Sequence, residues 1–324
     1  MSLSPAPASL AGAGRQGEID LLGWAALVTV YVVWGSTYLA IRIVVEALPP
    51  LTSAGLRFAV AGLVVLVAVV ATGRLAARRP TPRQLGGAAL VGGLLLFTGN
   101  GFVSIGEQRV PSAVAALTIA TVPLWVVVFG RLTGHPLPRG TLVGIAIGFL
   151  GVAAMLVPTG LSGTFDPSAL AIMVVAALSW ATGSFIATRL AMPRDPFVST
   201  AAQMLAAAVL LLLGGVVTGE RIDVAATTAH PASLLALAYL VVFGSLLAFT
   251  AYAWLLQHWP ISRVATYAFV NPLVAVVLGG LILGEPLTPP IVVGGAAIIV
   301  AVAVVIRQAS RPTPAPTPVA AASP

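Results

Sequence analysis

The chain alternates between long apolar runs and short breaks that are polar or rich in proline. Each run has roughly the 20 residues that a helix needs to cross the hydrocarbon core of a bilayer. The runs are Leu22–Ile43, Ala54–Ala71, Leu85–Ile105, Ser112–Leu132, Thr141–Val157, Ala169–Leu190, Phe197–Val217, Leu234–Leu256, Val264–Leu283 and Ile291–Ile306. This pattern predicts an all-α polytopic membrane protein with ten transmembrane helices.

The two halves of the chain resemble each other. Trp34 and Trp180 are 146 residues apart, and so are Arg57 and Gln203, which lie in similar segments. Further along, the segment TVPL matches VNPL at an offset of 149. Each half holds five predicted spans, so the second half enters the membrane in the opposite sense. Inverted repeats are typical of secondary transporters, in which the substrate site lies between the repeats near mid-membrane.

The composition excludes a soluble domain. Hydrophobic residues make up 59% of the chain, charged residues make up 8%, and the mean hydropathy is +1.05. A soluble domain carries roughly a quarter charged residues. The chain has no Cys and no Lys, which excludes a thiolate metal site and an ATP-binding loop of the Walker type. We therefore expect no cofactor, no metal and no use of ATP.

The sixteen basic residues are all Arg, and their positions indicate the topology. With the N-terminus in the cytoplasm, the outer loops carry only Arg109 and Arg221. The cytoplasmic side carries Arg15, Arg74, Arg78, Arg79, Arg83, Arg131, Arg139, Arg189, Arg194, Arg263, Arg307 and Arg311. This bias follows the positive-inside rule and predicts that both termini are cytoplasmic. The net charge of +7 is thus a topology signal, and we expect no nucleic-acid partner.

The domain boundaries follow from the same pattern. Residues 1–20 are small, polar and proline-containing, and are predicted to form a disordered cytoplasmic N-terminus. Residues 21–158 and 168–307 form the first and second repeats. The remaining residues, 308–324, are predicted to form a disordered, Pro-rich cytoplasmic tail. Nothing in the pattern assigns an oligomeric state.

Three segments carry a resemblance to a known family. They are WGSTYLAIRIVVEALPPLTSAGLRFAVAG, GNGFVSIGEQRVPSAVAALTIATVPLW and YAFVNPLVAVVLGGLILGEPLT. They resemble the EamA-type branch of the drug/metabolite transporter superfamily, and the resemblance extends from about Leu22 to Arg307. It implies two inverted five-helix EamA repeats in a bacterial inner membrane, and export of small metabolites or drugs. It does not identify a substrate.

Polar and aromatic side chains within the spans are candidates to line a substrate cavity. Trp34, Thr37 and Tyr38 share a helical face, and Trp180 and Ser184 share the equivalent face of span six. The full set of cavity candidates is Trp34, Thr37, Tyr38, Arg57, Asn100, Trp180, Ser184, Gln203, Tyr252, Tyr267 and Asn271. Helix packing and interhelical hydrogen bonds are the alternative interpretation for these residues.

Arg57 is the only cation well inside a predicted span, and a charge in lipid is costly unless it is paired or hydrated. It could bind an anionic group of the substrate, form an outer gate with Glu46 or Glu107, or bond to carbonyl groups as a structural residue. Its counterpart Gln203 is neutral, so the repeat does not require the charge.

Two further sets of residues are candidates for motion and coupling. Pro123 and Pro272 lie inside the matched spans four and nine, where each removes a helical hydrogen bond, so both are hinge candidates. Static kinks are the alternative. Glu107 and Glu285 follow spans three and nine and are candidates to carry a coupling proton, although carboxylates at a membrane edge are more often solvated or capping.

The predicted function is a secondary exporter that works by alternating access. An uptake permease for a small polar metabolite on the same scaffold is the alternative, because alternating access runs in either direction along a gradient. A membrane enzyme is disfavoured, since no carboxylate lies in the middle of a span and Lys and Cys are absent.

Overall fold

A computed structural model describes residues 20–77, 79–109, 115, 118–134, 137–160, 166–283 and 289–309. All regular structure in these residues is helical. The longer helices are α1 Leu21–Val45, α2 Pro50–Ala71, α3 Pro82–Gly106, α4 Val122–Leu132, α5 Arg139–Gly160, α6 Pro167–Ala187, α7 Pro196–Val217, α8 Pro231–His258, α9 Tyr267–Leu283 and α10 Pro289–Ala309. Short helices lie at Arg74–Ala77, Val224–Ala229 and Ile261–Val264.

Six of these helices, namely α1, α2, α3, α6, α7 and α8, are long and apolar enough to cross a membrane. Their outward faces are apolar, as on α2, where Leu63, Val67 and Val70 are more than half exposed. Such a face is suited to lipid and not to water. Helix α4 has 11 residues, about 16 Å of length, which is too short to span alone. Residues 112–114 and 116–117 of the predicted fourth span lie outside the described part.

Proline and aspartate determine where several helices begin. Pro50 is the first residue of α2, so this helix starts four residues before the predicted position. Asp20 caps α1 by accepting a hydrogen bond from the Gly23 N–H, and this residue therefore belongs to the folded part and not to the predicted disordered N-terminus. At the other end α10 extends to Ala309, two residues into the predicted tail. The rest of both predicted disordered ends lies outside the described residues.

Helix α5 extends beyond the predicted span Thr141–Val157 at both ends, from Arg139 to Gly160. Span nine differs in the opposite direction. It was predicted to start at Val264, but a short helix and a turn at residues 265–266 precede α9, which starts at Tyr267.

The two halves interlock. Helix α1 packs against α8 and α9 of the second half, and α6 packs in the same way against α3 and α4 of the first half. The most extensive contacts pair equivalent helices directly, α2 with α7 and α5 with α10. The packing therefore follows the sequence repeat, with α1 and α6 at the centre.

A clasp of charged residues joins α2 to α7 at both ends. The Glu220 carboxylate, which follows α7, accepts hydrogen bonds from the Leu51 N–H at 3.0 Å and the Thr52 N–H at 2.7 Å. At the opposite end Arg74, which follows α2, pairs with Asp195, the N-cap of α7, at 3.1 Å. Arg74 and Glu220 are 146 residues apart, so the two contacts occupy equivalent positions.

The sequence pattern did not predict two π-helical segments, Gly93–Gly101 within α3 and Leu240–Phe249 within α8. Their first residues are 147 apart, so they too are equivalent in the two halves. A π-helix has a wider turn than an α-helix and is frequent at functional sites. The first segment packs against the central helix α6, and the second packs against the central helix α1.

The two hinge candidates lie in different settings. Pro272 lies inside α9, as predicted. Pro123 does not lie inside a continuous helix, because the chain turns at residues 120–121 and α4 begins at Val122. Pro123 therefore occupies the first turn, where its missing N–H costs nothing.

Candidate functional site

A cavity of about 60 Å³ lies between the two halves. Helices α1, α2, α3, α6, α8 and α9 contribute to its wall, together with Ile119 just before α4. Among its lining residues are eight of the predicted cavity candidates, Trp34, Thr37, Tyr38, Arg57, Asn100, Trp180, Tyr267 and Asn271. The space holds a few water molecules, so a metabolite enters only if the side chains around it move.

Four aromatic rings from both halves pack together at the cavity, and three of them, Trp34, Trp180 and Tyr267, line it. Trp34 and Trp180 meet edge to face, with ring centroids 5.4 Å apart. Tyr252 lies 4.8 Å from Trp34, and Tyr267 lies 5.1 Å from Trp34. Edge-to-face contacts of this kind are favourable for aromatic rings. We call these four residues the aromatic cluster.

Hydrogen bonds hold the cluster in place. The Trp34 Nε1–H donates to the Gly244 carbonyl oxygen, in the second π segment, at 3.2 Å. The Trp180 Nε1–H donates to the Tyr252 hydroxyl at 3.2 Å, and this hydroxyl also bonds to Ser184 Oγ. Both indoles therefore have fixed orientations.

The Arg57 side chain is 4% exposed and lies between the two π segments. Its Nε–H donates to Ser245 Oγ at 2.7 Å, and its Nη1–H donates to Asn100 Oδ1 at 3.4 Å. The guanidinium lies 4.7 Å from the centre of the Phe58 ring. In the described part of the chain no carboxylate pairs with Arg57, so the outer gate with Glu46 or Glu107 is not formed in this structure.

Asn271 contributes an amide group to the wall of the cavity. In the orientation that satisfies its neighbours, its nitrogen donates to the Tyr267 carbonyl oxygen at 3.0 Å and the Tyr31 carbonyl oxygen at 3.3 Å. The amide therefore joins α9 to α1 beside the cavity. Interhelical bonding and cavity lining, which the sequence left as alternatives, occur together at this residue.

The other three predicted candidates lie next to the cavity and do not line it. Gln203 and Tyr252 line a smaller space of about 10 Å³ between α3, α7 and α8. Ser184 reaches this region through its bond to the Tyr252 hydroxyl. The small space shares Leu256 and Gln257 with a surface groove of about 660 Å³ at the ends of α6 and α8. These spaces lie in series from the surface towards the aromatic cluster.

A third space of about 10 Å³ continues on the other side of Arg57. Val44, Val45 and Ser53 line it, at the last turn of α1 and the first turn of α2. Arg57 and Ile41 line both this space and the central cavity. Arg57 thus separates the cavity from this end of the helices.

Of the two candidates to carry a coupling proton, Glu107 and Glu285, the structure describes only Glu107. Glu107 directly follows α3 and is 1% exposed, and neither of its carboxylate oxygens has a hydrogen-bond partner among the described residues. Arg42 donates to the Glu107 carbonyl oxygen and not to its carboxylate. Glu107 is therefore buried, although carboxylates at a membrane edge are more often solvated. Glu285 lies outside the described residues.

Sequence reasoning missed the residues that position Arg57. Ser245 accepts its hydrogen bond, and Gly244 leaves room for its head group, because a Cβ at Gly244 would lie 2.9 Å from Arg57 Nη2. Gly99 likewise leaves room for the Trp180 ring, because a Cβ at Gly99 would lie 2.7 Å from Trp180 Cε3. The available signal was the Gly244–Ser245 pair, which interrupts the apolar run of span eight.

Two aspartates at equivalent positions, Asp20 and Asp166, cap the starts of α1 and α6. Asp20 accepts from Trp259 Nε1–H at 2.8 Å, and Trp259 packs on Trp24. The bonds from Gly23 N–H and Trp259 lower the pKa of Asp20, which is ionised at neutral pH. These contacts join the start of α1 to the loop after α8, and we call them the first latch.

Asp166 caps α6 and forms the second latch. It lies 146 residues after Asp20. Its carboxylate pairs with Arg109, in the turn after α3, at 3.4 Å. Hydrogen bonds from the side chain and the backbone N–H of Ser168 lower the pKa of Asp166, with a smaller contribution from Arg109. Each latch therefore joins the first helix of one half to the loop after the third helix of the other.

Comparison with known proteins places the chain in a family. A profile described as the EamA-like transporter family matches residues 21–157 and again residues 167–307. An Escherichia coli (strain K12) protein, "Uncharacterized inner membrane transporter YedA", is 41% identical over 266 residues, which cover 81% of this chain and 83% of that protein. A solved structure titled "Crystal structure of protein" has a TM-score of 0.70 at 21% identity, covering 90% of this chain and 98% of that one, and shares the fold.

Two further relatives have names that state a direction of transport. A Salmonella typhimurium protein, "Probable amino-acid metabolite efflux pump", is 28% identical and covers 82% of this chain and 88% of its own length. A Streptantibioticus cattleyicolor protein, "Probable terminal-alkyne amino-acid exporter", is also 28% identical and covers 88% of this chain and 93% of its own length.

Proposed function

Because the chain belongs to the EamA-like transporter family, whose members are membrane transporters and not enzymes, we propose that it exports small metabolites or drugs by alternating access. It is a multi-pass inner membrane protein, with the lipid bilayer and a small-molecule substrate as its partners. Export is the direction given in the names of two relatives. The proposal extends that direction to this chain.

The proposed topology has ten transmembrane helices in two inverted five-helix repeats, with both termini in the cytoplasm. Its support is the Arg bias across the predicted loops and the two matches of the family profile. Under this topology the first latch lies at the cytoplasmic face and the second at the outer face. Helix α4 then requires the residues that precede Val122 to complete a span.

The proposed substrate site is the central cavity with the aromatic cluster. One observation carries the proposal: Trp34 and Trp180, which are equivalent residues of the two halves, meet across this cavity. A site that both halves build changes shape whenever the halves move against each other, as alternating access requires. The rings bind an apolar part of the substrate, and Thr37, Asn100 and Asn271 bind its polar part.

The latches support a mechanism with two gates. Closed contacts at both faces, with a cavity of only about 60 Å³ between them, correspond to an occluded conformation. Opening the Asp20–Trp259 contact gives access from the side of the surface groove, and opening the Asp166–Arg109 contact gives access from the opposite side. We assign Pro272 as a hinge within α9, next to Asn271 of the site.

The experiment is a flux assay in proteoliposomes, without nucleotide, against a library of small metabolites and toxic amphiphiles. The proposal expects exchange of at least one solute across the membrane, and a lower internal level of that solute in cells that overproduce the protein. A higher internal level would establish the uptake permease instead. Unchanged flux for the whole library would overturn the proposed function.

A further inference from the structure

We propose that the substrates of the central cavity are small organic anions, whose carboxylate binds the Arg57 guanidinium and whose flat apolar part packs on the aromatic cluster. This inference rests on the proposed function, because it names the substrate class of the same cavity. The relevant chemistry is a carboxylate joined to an apolar ring or chain.

Arg57 carries a charge that its neighbours do not compensate. The side chain is 96% buried, since it is 4% exposed, and its hydrogen-bond partners Ser245 and Asn100 are both neutral. A buried cation without an anionic partner is costly, whereas one that is paired and hydrogen-bonded is tolerated. No Asp or Glu is among the described residues that line the cavity. A bound anion supplies the counter-charge that these residues lack.

The Arg57 guanidinium keeps one edge available for a ligand. Carboxylates bind Arg best through two parallel N–H···O bonds. Nε–H is taken by Ser245, and Nη1–H makes only a long bond of 3.4 Å to Asn100. Nη2 makes no hydrogen bond to the described residues, and it packs against Gly244, where a Cβ would lie 2.9 Å away. The Nη1 and Nη2 edge of Arg57 is thus the part that remains available to a carboxylate.

The lining of the cavity combines polar groups with aromatic rings. Arg57, Thr37 and Asn100 line it together with the rings of Trp34, Trp180 and Tyr267. One cation and no carboxylate among the described lining residues favour a ligand with net negative charge over a zwitterion or a cation. The rings favour a flat apolar part, by the edge-to-face and stacked contacts that aromatic groups prefer.

A structural role for Arg57 is the competing explanation, and the repeat argues against it. Gln203 occupies the equivalent position in α7 and is 3% exposed, and it is satisfied by Ser199 Oγ at 3.0 Å. A neutral amide therefore meets the packing requirement in one half. The charged residue of the other half, Arg57, faces the cavity. It also separates the cavity from the small space at the end of α1.

The test measures binding with three probes of nearly equal shape: 3-phenylpropionate, its neutral amide 3-phenylpropanamide, and the cation 3-phenylpropylamine. Each is titrated calorimetrically into the full chain purified in detergent. The variants are Arg57→Gln, Arg57→Lys and the control Arg83→Gln, which removes one exposed positive charge at the start of α3. Gel filtration and melting temperature show which variants are folded.

We expect the wild-type chain and Arg83→Gln to bind the carboxylate roughly 10- to 100-fold more tightly than the amide, as charge-assisted hydrogen bonds predict. Arg57→Gln removes this preference, and Arg57→Lys retains part of it. Equal binding of carboxylate and amide by the wild type, tighter binding of the amine, or no binding of the carboxylate would each overturn the proposal. So would an unchanged preference in Arg57→Gln.

Flux of the same probes in proteoliposomes separates this proposal from the proposed function. Carboxylate binding that depends on Arg57, without flux of any library solute, leaves the anion site in place and overturns the transport function. Flux of library solutes that is unaffected by Arg57→Gln leaves the transport function in place and overturns the anion site.

Discussion

Trp34 and Trp180 occupy equivalent positions in the two halves of the chain, and their indole rings meet edge to face with centroids 5.4 Å apart. Each indole N–H is bonded to α8, at Gly244 and at Tyr252 respectively. The contact therefore links α1, α6 and α8 at the centre of the molecule. In this account a substrate has to displace one ring from the other, which makes the pair the central element of the mechanism.

The first prediction concerns the ring of Trp180. Trp180→Ala is expected to lower flux roughly 10-fold or more, because the substrate and Trp34 lose an aromatic contact. Trp180→Phe retains a ring and is expected to keep most of the flux. Trp254→Ala is the control, since Trp254 stacks on His258 and does not line the cavity. Equal flux in the two Trp180 variants would contradict a binding role for the ring.

A second prediction uses two glycines of α3. A Cβ at Gly99 would lie 2.7 Å from Trp180 Cε3 and 3.1 Å from the Leu94 carbonyl oxygen, so Gly99→Ala pushes the indole into the cavity. We expect flux to fall about 3- to 10-fold, with a stability loss of about 1–3 kcal/mol. A Cβ at Gly86 meets nothing within 4 Å, so Gly86→Ala is the matched control. Flux and thermal unfolding are measured for both, and wild-type flux in Gly99→Ala would speak against the assignment.

The clasp between α2 and α7 yields a prediction about stability. Glu220 accepts hydrogen bonds from Leu51 N–H, Thr52 N–H and the Thr52 hydroxyl. Glu220→Ala leaves the N-terminus of α2 without its cap, and we expect the free energy of unfolding to fall by about 1–2 kcal/mol. Arg221→Ala, at the neighbouring exposed position, is expected to have no effect. Denaturant unfolding in detergent measures both, and an equal loss in the two variants would remove the clasp from the account.

The first latch makes a prediction about access. The chain has no Cys, so a single introduced thiol reports exposure without further changes. Ala253, which is 5% exposed, lines the small space between the groove and the aromatic cluster. Trp259→Phe removes the bond to Asp20, and we expect labelling of Ala253→Cys by a maleimide to become about 3- to 10-fold faster.

Trp254→Phe is the control for this labelling experiment, because Trp254 makes no contact with Asp20 among those described. Its labelling rate is expected to match that of the Ala253→Cys parent. If Trp259→Phe also labels at the parent rate, the Asp20–Trp259 contact does not restrict access from the groove.

The sequence predicted the parts of this architecture that depend on composition and repetition. Outside the fourth span, the apolar runs located the ends of the longer helices to within four residues, and the offset of 146 paired Trp34 with Trp180 before any contact was known. The sequence also identified Arg57, Asn100 and Asn271 as cavity candidates, because polar groups in an apolar span need partners. These inferences need only the cost of burying polar groups and the length of a helix.

The remaining features depend on where helices lie relative to each other. The π segments add a residue to a turn without a distinctive composition, so Gly93–Gly101 and Leu240–Phe249 looked like ordinary helix. Ser245 became visible as the partner of Arg57 only through the packing of α2 on α8. Pro123 was assigned to the interior of a helix because the turn at residues 120–121 has no strong breaker of its own.

Access to the cavity from both faces of the membrane tests the central claim most directly. Ala176 lines the cavity and is fully buried, and Ala176→Cys adds a single thiol to a chain that has none. The measurement is the labelling rate with a membrane-impermeant thiosulfonate, applied to right-side-out and inside-out vesicles, with and without the solute that the flux assay identifies. Alternating access predicts labelling from each face and slower labelling at both when the solute is present. Labelling from one face only, or a rate that the solute does not change, would contradict it.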